Sequence, residues 1–181
     1  MDIFQSIILG IVQGITEFLP ISSSGHLVLL QKMFGIKEPP IFFDTLIHFA
    51  TILAVIFYLR KEIWSVLKGL NKKENQRLVL LILLATIPAV VVGFSMKDEI
   101  DEIFNSLSLL AVSFLITALI LFLTKFFENG KKNLEKLSWL DSLLIGIFQA
   151  LAILPGVSRS GGTISAGFFR GLDRTSAFKF S

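Results

Sequence analysis

Cysteine is absent from the 181-residue chain, which excludes a disulfide framework, a thiolate nucleophile and a cysteine-ligated metal centre. Charge is scarce as well. Only 17% of residues are charged, against about a quarter in an ordinary soluble domain. In their place stand hydrophobic residues, 53% of the total, with a mean hydropathy of +0.74. That balance reads as an integral membrane protein. The net charge of +3 sits in short clusters between apolar runs, where it sets membrane orientation, so a nucleic-acid partner is not expected. The first apolar run, 3–19, lacks a basic leader and a small-residue cleavage site and carries Glu17. It is therefore expected to stay in place rather than to be cleaved as a signal peptide.

Three runs, 41–59, 78–95 and 107–124, match the roughly 18–20 residues a helix needs to cross a bilayer. Arg60, Lys61, Lys68, Lys72, Lys73 and Arg77 follow the first, and Lys125, Lys131, Lys132 and Lys136 follow the third. The positive-inside rule places 60–77 and 125–138 in the cytoplasm. The intervening segment with Lys97, Asp98, Glu99, Asp101 and Glu102 then faces outward.

Two further apolar stretches, 3–19 and 139–154, are short for spans, and each runs into a Pro/Ser/Gly-rich break. Broken or re-entrant helices look like this. Gly10, Gln13, Ser22, Ser24 and Gly25 recur as Gly146, Gln149, Ser158, Ser160 and Gly161, all at an offset of 136 residues, with Pro20 and Pro155 displaced by one. The first copy should enter from outside and the second from the cytoplasm, so the broken tips meet near the bilayer midplane. The expected fold is an all-α polytopic membrane protein of one domain, 1–181. Its re-entrant hairpins form an inverted-topology repeat, with copy one at about 1–127 and an incomplete copy two at about 139–181. A complete second copy needs roughly twice the offset, so the chain is expected to be C-terminally shortened.

Nonhelical backbone inside lipid requires a polar cavity. Gln13 and Glu17 are four residues apart and share a helix face. Ser22, Ser23 and Ser24 supply hydroxyls, Gly25 permits close approach of backbone, and His26 opens a helix over about 25–34, capped by Ser22 or Ser23. An ionisable residue at membrane depth marks a site. In the second copy Arg159 stands where Ser23 stands in the first, flanked by Ser158, Ser160 and Gly161. Its planar fork fits phosphate oxygens. Gly167 and Gly171 are read as helix-packing positions. Asp44 and His48, at i and i+4, share a face that can line the same cavity. One copy thus holds the acid and imidazole and the other the fixed cation. Converging, they suit phosphoryl transfer. A transporter or lipid flippase shares the inverted-repeat plan; what separates the two readings is the chemical asymmetry between copies, which only hydrolysis requires.

The strings QGITEFLPISSSGH and PGVSRSGGT resemble the undecaprenyl-diphosphate phosphatase, or bacitracin-resistance protein, family. The resemblance implies that Gln13 and Glu17 form its acidic box and hold a divalent cation, magnesium or calcium. It implies that Ser23 and His26 form the catalytic run and that Arg159 clamps phosphate, with Ser22, Ser24, Gly25, Ser158, Ser160 and Gly161 around the substrate. The nucleophile is left open between Ser23 and a water, either one activated by His26. The activity implied removes the terminal phosphate from a polyprenyl diphosphate lipid, which recycles the cell-wall carrier and confers bacitracin resistance. The implied location is the bacterial cell membrane, multi-pass, with the active site facing outward; a homo-oligomer is left open. Gln13 stands at the first box position in place of glutamate, which the family pattern allows and which leaves one fewer anionic metal ligand, and the family continues beyond Ser181 with further helices.

Overall fold

The computed structural model describes residues 1–36, 40–96, 100 and 106–181. The charged segment expected to face outward, Lys97, Asp98, Glu99, Asp101 and Glu102, lies outside the described residues. Helix α1, Ile3–Thr16, opens on a capping box: the Asp2 carboxylate accepts from the Gln5 N–H at 2.8 Å, and the Gln5 side chain accepts from the Asp2 N–H at 3.0 Å. A break follows. Helix α2, Ser23–Met33, then starts with Ser22 as its N-cap, so His26 sits within the first turn rather than at the helix start.

The three expected spans are helices α3, Ile41–Tyr58, α5, Lys73–Ser95, and α6, Leu107–Thr124. Their hydropathies are 2.0, 2.7 and 2.6, yet only 6%, 11% and 17% of each span is buried within the chain. Apolar helices that the protein leaves uncovered at this length need lipid around them. Helix α5 begins five residues earlier than the apolar run, at Lys73, because its polar first turn, 73–76, can meet water. Sequence reading treated 60–77 as a loop, but Arg60–Lys68 is helix α4, with Ile63, Trp64 and Leu67 spaced as one apolar stripe among the basic residues.

The remaining helices are α7, Trp139–Leu151, α8, Arg159–Phe169, and α9, Arg174–Phe180. Helix α5 packs on α7, α7 on α8, and α8 on α6 and α9. Leu81, Leu137, Ile145, Ala166, Phe168, Leu172 and Ala177 form the core between them. Gly146 lets α7 press on the carbonyl of Ala85, and the Ser142 hydroxyl donates to the Leu81 carbonyl. At the loop end of this unit the fully buried Asp141 carboxylate takes the Lys132 ammonium and the Arg170 guanidinium, the latter at 2.7 Å, together with the Ser138 N–H and hydroxyl. Burial works to raise the Asp141 carboxyl. The bonds from Lys132, Ser138 and Arg170 outweigh it and hold the group well below the usual carboxylate range.

The repeat is visible in backbone detail. Helix α7 opens on a capping box of Ser138 and Asp141, in register with Asp2 and Gln5. Ser22 and Ser158 both cap the following helix, each accepting from the N–H three residues on and each with its hydroxyl 3.4 Å from the serine two residues on. Helices α2 and α8 end in register too, on Gly35 and Gly171, at φ +70° and +78°. All described regular structure is helical, apart from one isolated bridge between Lys132 and Leu172.

Candidate active site

Because α1 ends at Thr16, the Glu17 side chain projects from its last turn into the first break. Its carboxylate collects the first copy's polar groups. Gln13 Nε2 donates to Glu17 Oε2 at 3.1 Å, and the Ser23 hydroxyl donates to the same oxygen. His48, on α3, brings Nε2 to 4.0 Å from it. Sequence reading had only allowed His48 to line this cavity; the structure sets it beside the acid. Asp44 instead accepts from Gln31 Nε2 at 2.8 and 3.0 Å, tying α3 to α2.

His26 stands apart from Ser23. Its Nδ1 faces the Ser22 carbonyl at 2.8 Å, and its ring meets Phe114 edge-on. No hydrogen bond joins it to Ser23 among the described residues. It lines an open, mostly apolar hollow of about 350 Å³ with Ile21, Leu29, Phe114, Thr117, Ala118 and Leu121.

The second break lies against the first. A Cβ on Gly25 would fall 2.8 Å from Gly156 Cα, and one on Gly161 would fall 3.2 Å from the Pro20 carbonyl. Ser160 donates to the Leu19 carbonyl at 3.5 Å. The pairing is reciprocal, since Gly156 and Gly161 are the 136-residue counterparts of Pro20 and Gly25. Arg159 opens α8 beside this junction, exposed, its carbonyl accepting from the Thr163 hydroxyl at 2.9 Å and its guanidinium without a hydrogen-bond partner among the described residues. Ser158 is buried as the cap. Thr117 pins the break to α6, donating to the Gly156 carbonyl at 2.8 Å and accepting from the Ser158 N–H at 3.0 Å. Sequence reading missed Thr117; its signal was a pair of polar residues, Ser113 and Thr117, four apart in the otherwise apolar middle of the span.

The donor set fits a hard cation. Gln13 is fully buried, and its Oε1 has no partner, an arrangement that costs about 1–3 kcal/mol if left unmet. Beside it lies the one carboxylate of the cluster, and oxygen donors of these kinds suit magnesium, calcium or manganese.

The description "Bacitracin resistance protein BacA" matches residues 6–181. The chain belongs to the BacA family. It is 49% identical, over its whole length, to an undecaprenyl-diphosphatase of Carboxydothermus hydrogenoformans, of which it covers 68%. It is 46% identical to one from Thermosipho africanus over 97% of its own length and 71% of the relative. An undecaprenyl-diphosphatase 4 of Bacillus cereus is 42% identical over all of this chain and 68% of its own. With three apolar helices long enough to span a bilayer, this BacA-family chain is a multi-pass membrane protein.

Proposed function

We propose that the chain hydrolyses undecaprenyl diphosphate to undecaprenyl phosphate and inorganic phosphate. The diphosphate sits where the two breaks meet, and the prenyl chain stays in the bilayer. The observation that carries this reading is the hydrogen bond from Ser23 to Glu17 beside the junction with Arg159's helix. Family membership and the names of the relatives support the substrate. The reciprocal contact of the breaks supports an inverted-topology repeat whose tips meet inside the membrane.

In the first step Ser23 Oγ attacks the terminal phosphorus while Glu17 takes the hydroxyl proton. The bond to the bridging oxygen breaks, and undecaprenyl phosphate leaves. In the second step a water attacks the phosphoserine, restoring Ser23 and releasing phosphate. The carbonyl facing His26 can only accept, so Nδ1 carries the proton of the neutral ring and Nε2 is free to take one from that water. Arg159 holds the phosphoryl oxygens, and the free N–H groups at the start of α8 add to it. A divalent cation held by Glu17 and Gln13 would neutralise charge on the diphosphate. Glu17's counterpart by the offset is Ile153 and His26's is Gly162, so the repeat builds one catalytic centre. That asymmetry favours hydrolysis over carriage.

The test is phosphate release from undecaprenyl diphosphate by the purified chain in detergent, with a divalent cation present and no gradient. Turnover supports the phosphatase; tight binding of the lipid without release would contradict it.

A further inference from the structure

His48 is the ionisable side chain at the centre that the scheme above does not use. Its Nδ1 lies 2.8 Å from the carbonyl of Asp44, one turn back on α3. A carbonyl only accepts, so Nδ1 carries the ring proton, and Nε2 of the neutral imidazole presents a lone pair. That lone pair faces Glu17 Oε2 at 4.0 Å, an acceptor facing an acceptor. The Gln13 amide also lies against Glu17, its Nε2 3.1 Å from the same oxygen and its buried Oε1 without a hydrogen-bond partner. Side chains from α1, its end and α3 thus meet at Glu17 Oε2, which accepts from Gln13 and Ser23, and among the described residues neither of those donors bonds His48 Nε2.

We infer that His48 Nε2, with Glu17 and Gln13 Oε1, completes a cation site that binds a manganese-like divalent ion. A separation of 4.0 Å suits two donors of one ion, each roughly 2.1 Å from it. Fixing the far ring nitrogen on a carbonyl is how metal-binding histidines are oriented. An imidazole among oxygen donors shifts preference away from calcium and toward transition ions. Among the described residues no third histidine or acid joins the pair, so water and, on the reading given above, the diphosphate oxygens fill the other positions. His48 is 35% exposed at its side chain, which leaves a path for them. The inference deepens the proposed function but is tested without substrate, so the two can fail separately.

The test uses Mn²⁺ as the probe on the full chain in detergent, read by electron spin-echo envelope modulation. Wild type should show the nitrogen coupling of a bound imidazole. His48→Ala should lose it and bind Mn²⁺ at least about 10-fold more weakly, as loss of a ligand or its orienting shell does. His26→Ala should keep both. His48→Gln, which keeps a polar side chain on the same helix face, should also lose the coupling while unfolding at the wild-type temperature. Coupling that survives in His48→Ala, or disappears in His26→Ala, overturns the assignment, as does a wild-type chain that binds no Mn²⁺. Coupling present without phosphate release would leave the site standing and sink the function instead.

Discussion

Gly25 and Gly156 lie face to face where the two serine-rich breaks meet, with no room between them for a side chain. A Cβ on Gly25 would stand 2.8 Å from Gly156 Cα and 2.7 Å from the Phe114 ring. Gly156 itself has φ +91°, a conformation other residues rarely adopt. Whatever chemistry the breaks perform depends on this approach.

Gly25→Ala should therefore push the breaks apart. Overpacking of this kind costs about 1–3 kcal/mol. The expected outcome is a lower unfolding temperature in detergent, together with a fall in phosphate release larger than the fraction unfolded explains. Unchanged stability and turnover would show that the junction has slack.

Glu17→Gln keeps an oxygen that can accept from Ser23 but removes the charge and the basicity. Phosphate release should fall by about 10²–10⁴-fold, the usual range for loss of a positioned base. The unfolding temperature should stay near wild type, since Glu17 is part-exposed. A mild loss would return the role of base to His26.

Asp141 tests the scaffold beneath the second break. Asp141→Asn leaves Lys132 and Arg170 facing a neutral partner. Both cations keep some contact with solvent, so the cost should sit near the low end for a broken buried pair, about 3 kcal/mol. Because the folded-state carboxyl titrates below its ordinary value of 3.8, the stabilisation is complete above that value and drains away as pH falls below it. The gap in stability between wild type and Asp141→Asn should be constant from pH 5 to 8 and narrow below about pH 4, read by thermal unfolding across pH.

The sequence announced its spans because lipid demands long apolar runs, and 41–59, 78–95 and 107–124 each became a helix. The repeat was equally legible, as serines and glycines were kept in register. Helix α4 was hidden because its apolar stripe of Ile63, Trp64 and Leu67 is diluted by lysines in a segment that charge alone marked as loop. At the site, spacing on one helix revealed the Gln13 and Glu17 pair. It could not reveal Ser23 turning to Glu17 while His26 turns to Phe114, because that depends on the left-handed Ser22 at φ +66° and on which helix packs against each face of α2. Nor could it bring His48 to Glu17, a contact between elements that only the packing of α1 on α3 creates.

A double-mutant cycle on phosphate release, joining Ser23→Ala in one break to Arg159→Ala in the other, asks most directly whether the two copies serve a single phosphate. Residues acting as a unit are strongly non-additive, so the double variant should lose about as much activity as the worse single one. If the two losses instead multiply, with each variant folded as wild type, Ser23 and Arg159 do not act on the same group and the shared centre is wrong.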